Sequence, residues 1–306
     1  MKTGRIKKTV IILGYQCNNR CRFCINANKR NLVSKTTSHI QAEMIEAKSR
    51  GASYLELIGG EATIRSDIFE LIGFAKSLGF KTITMSTNGR MCSYLGFAKK
   101  LIKAGLTDII FSIHGHSAKI HDNLTCSPGS FKELLAGLDN FKKLGFKKIG
   151  SNTTIVKQNY KYLPQIGQFI YNQGIRNSEF IFVDPNYGAA YDNFEQLVPR
   201  ISQIVPYVKQ CLDLGRRRRT PHWAVRYVPL CYFQDYLDQI SELREVKVFQ
   251  TEHLAPDFEN YAVEESRQQF GRIKPAKCKK CRLFNLCEGI WQEYYKQYGD
   301  KELIPV

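Results

Sequence analysis

Three thiols fall within eight positions near the start of the chain, Cys17, Cys21 and Cys24 in CNNRCRFC, and a second trio, Cys278, Cys281 and Cys287, stands near its end in CKKCRLFNLC. Thiolates grouped this way on a loop select soft metals, and the number of protein ligands decides what the metal can do. A structural zinc site takes four protein ligands, whereas three thiolates suit three corners of a cubane 4Fe-4S cluster, whose usual site has four. With CxxxCxxC one iron is left without a protein ligand, and an open coordination position on an otherwise held metal marks a reactive site. A zinc knuckle that recruits a distant fourth ligand is the alternative.

Ten cysteines in 306 residues do not read as a disulfide framework, because reduced compartments keep thiols free and clustered cysteines there bind metal or catalyse. The opening MKTGRIKKTVIILGY has too short an apolar run, and no small-residue cleavage site, to be a secretory signal. No stretch approaches the roughly 18 to 20 apolar residues of a membrane span. The expectation is a cytoplasmic protein with no membrane partner. A formal charge of +17 favours an anionic partner: nucleic acid, a phosphorylated small molecule, an acidic peptide or an acidic electron donor.

The elements that must hold these cysteines show in the hydropathy pattern. Short β-branched runs, KTVIILGY (8–15), SYLELIG (53–59), FKTITMST (80–87), TDIIFSIH (107–114), FKKIGSNTTIV (146–156) and SEFIFVDP (178–185), alternate with amphipathic stretches, several ending on glycine as helices do. Six such repeats predict an α/β fold with a parallel sheet, either open and doubly wound or an incomplete barrel. In both, ligands sit at the C-terminal strand ends. The unusual residues gather there: Cys17 to Cys24 after the first strand, Gly59 to Glu61 after the second, Ser86 to Gly89 after the third, Ser112 to His116 after the fourth. Residues 191–225 read as a helical linker, one helix over 193–215 followed by the run Arg216 to Arg219, and residues 226–306 as a separate C-terminal module. The arginine run is either a grip for phosphate or an acidic peptide, or a solvated charged turn.

CNNRCRFC, with Phe23 before its last cysteine, resembles the signature of the radical S-adenosylmethionine (radical SAM) superfamily. The resemblance implies a partial (β/α)6 TIM-type barrel over residues 1–190, in which Cys17, Cys21 and Cys24 hold a 4Fe-4S cluster that binds S-adenosyl-L-methionine (AdoMet). It implies that Gly60 and Glu61 of LIGGEA hold the amino group of the methionine moiety. Phe23, and Ser86 and Asn88 of STNG, would line the cofactor, Ser112 of FSIHG would contact the ribose, and Asn152 would assist. One electron, from a reductase such as flavodoxin or ferredoxin, would cleave AdoMet to a 5'-deoxyadenosyl radical that takes hydrogen from a substrate carbon. The segment HDNLTCSPGSF resembles the branch of anaerobic sulfatase-maturating and peptide-modifying enzymes, with Thr125 where an arginine often meets the AdoMet carboxylate. The C-terminal trio, followed by Gly289, resembles the SPASM or twitch module. That implies one auxiliary 4Fe-4S cluster with Cys231 of VPLCYF as fourth ligand; zinc on the same four thiols is the alternative.

Cys92 and Cys126 follow strands on the rim side, as thiol hydrogen-atom donors would, and His114 is the candidate for acid–base or substrate-orienting work among His114, His116 and His121. Asp184 and Tyr187 are expected to face the substrate cavity, and Cys211 to be packing. The reading is an enzyme acting on a ribosomal peptide or natural-product intermediate by epimerisation, crosslinking, dehydrogenation or decarboxylation. A nucleotide, nucleotide-sugar or RNA substrate is the alternative, and a non-catalytic zinc-binding interaction protein the remote one.

Overall fold

Eight parallel strands form one curved sheet in the computed structural model, which describes residues 4–220 and 222–306. The chain runs β1 (Ile6–Ile12), α1 (Thr37–Ser49), β2 (Tyr54–Ile58), α2 (Ile68–Ser77), β3 (Thr82–Thr87), α3 (Leu95–Ala104), β4 (Asp108–Ser112), α4 (Ala118–Thr125), α5 (Ser130–Lys143), β5 (Ile149–Ile155), α6 (Leu163–Asn172) and β6 (Asn177–Phe182). It continues through α7 (Gly188–Asp192), α8 (Phe194–Leu197), α9 (Ile201–Arg217), β7 (His222–Arg226), α10 (Ser241–Val248), β8 (Phe249–Leu254), β9 (Glu259–Asn260), α11 (Val263–Ser266), β10 (Arg272–Ile273), β11 (Ile290–Trp291) and α12 (Gln292–Tyr298). The six strands expected before residue 185 are all present.

Strand order is β7-β6-β5-β4-β3-β2-β1-β8-β9, with β9 antiparallel to β8. The sheet is therefore wider than the six repeats. After residue 220 the chain returns to lay β7 beside β6 and β8 beside β1, and α10 packs against both new edges. Residues 226–306 thus contribute barrel structure as well as the cysteine trio.

Alternation along each strand divides two environments. Ile11, Leu55, Leu57, Ile83, Met85, Ile109 and Phe111 are all 0–1% exposed and face the helices, each contributing about 1.5–3 kcal/mol of burial. The intervening residues line the concave lumen. The single helix expected over 193–215 is two, α8 and α9, because Val198 precedes Pro199 and takes extended dihedrals, φ −88° and ψ 111°, as the proline ring requires of its predecessor.

The HDNLTCSPGSF segment has a local physical cause. Asp122 accepts hydrogen bonds from the Gly129 and Phe131 amides and the Ser130 hydroxyl at 2.8–2.9 Å, closing the start of α5. These donors hold the Asp122 carboxyl below its ordinary value of 3.8, against the opposing effect of burial. Asp122→Ala is expected to cost about 1–2 kcal/mol at neutral pH. A group with a depressed folded pKa stabilises above its unfolded value, so this deficit shrinks as pH falls below 3.8. Urea unfolding of both proteins across that range measures it.

Candidate active site

The loop carrying Cys17, Cys21 and Cys24 is strapped to the ends of two strands, β2 and β3, and of the helix α4. The Gly60 and Glu61 amides donate to the Gly14 and Gln16 carbonyls at 2.8 and 2.9 Å, and only glycine tolerates that approach. A Cβ on Gly60 would lie 2.1 Å from the Gln16 carbonyl oxygen, and one on Gly59, whose φ is +151°, 2.4 Å from that of Gly14. From β3, Asn88 Nδ2 donates to Asn18 Oδ1 at 2.7 Å and Arg90 Nη1 donates to the Asn18 carbonyl. At the C-terminus of α4 the Thr125 and Leu124 carbonyls accept from the Arg20 and Arg22 amides, both at 2.9 Å.

Glu61 fixes the end of β2 to its neighbour. Its carboxylate is 4% exposed and already accepts from the Thr63 amide and hydroxyl, the Thr87 hydroxyl and the Asn88 amide at 2.5–3.2 Å. It latches β2 to β3, with Oε1 taking three of these bonds and Oε2 only the one from the Asn88 amide. Burial raises its pKa, and these four donors oppose the rise.

Asn88 stands beside the cysteines, its Nδ2 3.9 Å from Cys17 Sγ. Ser112 and Asn152 are partners across β4 and β5, so both side chains project to the same side, where Asn152 lines the lumen. The Ser86 hydroxyl is spent on Glu56 at 3.0 Å. The Phe23 ring meets His114 edge-on at 4.7 Å. His114 is buried, which lowers its pKa to about 3, and His121 is lowered by burial to about 4. Both are neutral at pH 7. His114 Nδ1 accepts from the Thr154 amide at 3.3 Å, leaving its Nε2 as the donor.

Several expectations need correction. Cys92 is fully buried against α5, so it is core packing and cannot reach a substrate. Asp184 lies beyond the end of β6 and accepts from the Asn186 amide at 2.9 Å, while Tyr187 is exposed. Neither lines the lumen cavity described next, whose wall on β6 is Asn177, Ser178, Glu179 and Ile181. The Thr125 hydroxyl pairs with Ser130 at 2.7 Å and is unavailable to a carboxylate. Cys126 is exposed at the end of α4, near enough to Cys21 to affect its ionisation. Cys211 is buried in α9.

The lumen itself was missed. It is a cavity of about 570 Å3 whose wall includes Lys8, Glu56, Glu179, Arg226, Glu245 and His253. Lys8 meets Glu56 at 2.6 Å, and Arg226 meets Glu179 at 2.9 Å and Glu245 at 2.8 Å. The signal was legible: charged residues at inward alternating positions of otherwise apolar strands, as in IKKTVII and YLELI.

At the other end of the chain Cys231, Cys278, Cys281 and Cys287 line one small cavity, closed by Pro229, Leu283, Ile290 and Leu303. Burial, with the neighbouring sulfurs of Cys287, Cys231 and Cys281, pushes the Cys278 thiol up to about 11. In the first trio, burial and the sulfurs of Cys24 and Cys17 push Cys21 up to about 12. Such thiols lose their protons on binding metal. Backbone amides already point at sulfur: Asn19 to Cys17 at 3.3 Å, Leu230 and Gly289 to Cys287 at 3.5 and 3.3 Å. This is the hydrogen bonding that tunes cluster potentials. Among the described residues no three His, Cys, Asp or Glu side chains converge on a single-ion position. Four thiolates on one zinc at 2.3 Å would stand roughly 3.8 Å apart, whereas a cubane gives each thiolate its own iron.

A cysteine loop strapped across the C-terminal rim of a parallel partial barrel is the architecture of a metal-cofactor enzyme. A model of the radical SAM superfamily matches residues 11–170, and the chain belongs to that superfamily. It is 26% identical over 221 residues to a probable GTP 3',8-cyclase of Saccharolobus islandicus (strain M.14.25 / Kamchatka #1), spanning 71% of this chain and 69% of the relative. It is 31% identical over 151 residues to the AdoMet-dependent heme synthase of Methanosarcina barkeri, spanning 49% and 42%. Streptococcus suis SuiB bound to S-adenosylmethionine has the same fold with a TM-score of 0.69 at 18% identity, over 94% of this chain and 73% of that one. So does anSMEcpe with bound AdoMet and Cp18Cys peptide, with a TM-score of 0.67 at 13% identity, over 97% and 91%. The protein is therefore an enzyme, and its family implies a 4Fe-4S cluster and AdoMet. Among the described residues no helix is long and apolar enough to cross a membrane.

Gly60→Ala is expected to push the cysteine loop off its strap while leaving the sheet folded. The check is iron content after anaerobic reconstitution, which falls by about four irons per chain if the cubane site on this loop is lost, against an unchanged far-ultraviolet circular dichroism spectrum.

Proposed function

We propose that this enzyme takes a hydrogen atom from a carbon of a peptide substrate. Cys17, Cys21 and Cys24 would hold the AdoMet-binding 4Fe-4S cluster, and Cys231, Cys278, Cys281 and Cys287 one auxiliary 4Fe-4S cluster. When bound, the first cluster and AdoMet supply the 5'-deoxyadenosyl radical. The chain's own part is positioning and exclusion of water. Gly60 keeps the main chain of the β2 end close to the loop, Glu61 fixes that end to β3, and Asn88, Ser112 and Asn152 offer polar groups on the cofactor side. His114 stays neutral, so it donates one hydrogen bond and adds no charge.

The observation that carries the peptide reading is the charge balance of the lumen. Lys8, Arg226 and Arg244 face Glu56, Glu179 and Glu245, and Lys8 and Arg226 are already paired. A triphosphate brings several negative charges that need cations not already neutralised. A polar, uncharged or zwitterionic peptide group suits this wall. The likeness of fold to SuiB and anSMEcpe, structures of which hold a precursor peptide and the Cp18Cys peptide, supports the same reading. A nucleotide substrate is the second reading, favoured by the sequence relation to GTP 3',8-cyclases.

Replacing Cys17, Cys21 and Cys24 by Ala is expected to abolish 5'-deoxyadenosine formation from AdoMet under dithionite and to retain about four irons per chain at the auxiliary site. Continued formation would remove the assignment of the first site. Added GTP is expected to leave the wild-type rate of AdoMet cleavage unchanged, and a several-fold stimulation would favour the nucleotide reading.

A further inference from the structure

The sheet's N-terminal face, opposite the cysteine rim, gathers cations that nothing above uses. Three adjacent strands enter there, and each is preceded by a basic segment made of a helix end or the loop after it: Lys142, Lys143, Lys147 and Lys148 before β5, Arg176 before β6, and Arg216 to Arg219 before β7. Lys142, Lys148 and Arg216 have carboxylate partners in Asp139, Asp108 and Asp238. Among the described residues Lys143, Lys147, Arg176, Arg217, Arg218 and Arg219 have none within ion-pair distance. Arg176 and Arg218 even share one ring, lying 4.0 and 5.2 Å from the centroid of Tyr171. Like charges held this close repel one another unless an anion joins them.

The patch has a mouth. A cavity of about 400 Å3 opens between the loops, its charged and titratable lining Lys147, Arg176, His222 and the Lys148–Asp108 pair, and its wall shares Tyr54, Ile110, Asn177 and His222 with the lumen cavity. We infer that this face is the docking surface for an acidic peptide segment of the substrate, held by Arg176, Lys147 and Arg217 to Arg219 at a distance from the reacting residue. The inference rests on the peptide reading of the active site. An acidic peptide fits better than single-stranded nucleic acid, because Tyr171 is covered by arginines and offers no free ring for stacking bases. The recessed mouth also takes a carboxylate side chain where a phosphate backbone would lie across it. The face is one strand length from the rim, roughly 20 Å. A spacer of roughly a dozen extended residues therefore reaches the active site around the outside.

Fluorescence anisotropy with a labelled twelve-residue Glu/Asp-rich peptide tests this on the full chain, beside a Gln/Asn peptide of equal length and a twelve-nucleotide single-stranded RNA. The acidic peptide is expected to bind at least tenfold more tightly than the neutral one, and less tightly as salt rises and the screening length falls to about 8 Å. The variant Arg217→Glu, Arg218→Glu, Arg219→Glu is expected to lose that tenfold preference. Lys99→Glu, Lys103→Glu, Lys132→Glu, with equal charge change on helix surfaces elsewhere, is expected to keep it. Equal binding of the two peptides, equal loss in the two variants, or tighter binding of the RNA than of the acidic peptide to the arginine face would each overturn the proposal. Docking and chemistry separate cleanly. Acidic-peptide binding without any peptide turnover sinks the peptide reading alone, whereas peptide turnover with an unchanged KM in the arginine variant sinks the docking surface alone.

Discussion

The close approach of two main-chain segments, Gly59–Gly60 against Gly14–Gln16, is the constraint on which the rim depends. No side chain fits between them, so the end of β2 lies directly on the segment that becomes the cysteine loop. Glu61 then fixes this pair to β3 through Thr87 and Asn88, and Asn88 passes the restraint to Asn18, next to Cys17. The loop has little regular secondary structure of its own. Its shape is imposed by donors and acceptors on β2, β3 and the end of α4, and a site built from borrowed restraints on rigid strands is held more precisely than a free loop.

A second set of contacts ties the auxiliary cysteines to the same sheet. Arg267 grips Glu288, the residue after Cys287, through two bonds of 2.7 and 2.8 Å and also reaches Glu245 at 3.4 Å. Glu245 in turn pairs with Arg226 on β7, whose other partner is Glu179 in the lumen. Buried charges persist only when paired, and breaking one such pair typically costs about 3–5 kcal/mol. The ion network therefore works as a staple across the edge between β7 and β8, running from the lumen wall to the residue beside Cys287. Arg272, 4.3 Å from the Trp291 ring and surrounded by Glu242 and Glu288 at 3.8 and 4.0 Å, fills the space behind it.

Legibility in the sequence followed the range of the forces. Period-two and period-3.6 patterns identified six strands and their helices, because burial on one face is local. The cysteine trios were legible from spacing, and Cys231 from its place upstream of the second trio. β7 and β8 escaped because each is five or six residues long and takes its place from a distant partner, β7 from β6 about 45 residues earlier and β8 from β1 about 240 residues earlier. Motif matching gave Glu61 a ligand role but could not show that its carboxylate also carries four protein donors, three of them on Oε1. Cys92 was placed on the rim for a related reason: its position after β3 gave no hint that α5 packs over it.

The central claim is that the strapped trio leaves one iron open to AdoMet. The most direct measurement is electron paramagnetic resonance of the dithionite-reduced protein, with the auxiliary cysteines replaced by Ala, before and after addition of AdoMet labelled with 15N in its amino group. The account predicts a changed cluster signal with a hyperfine coupling to the label. A reduced cluster signal that is identical with and without AdoMet and shows no such coupling would contradict it.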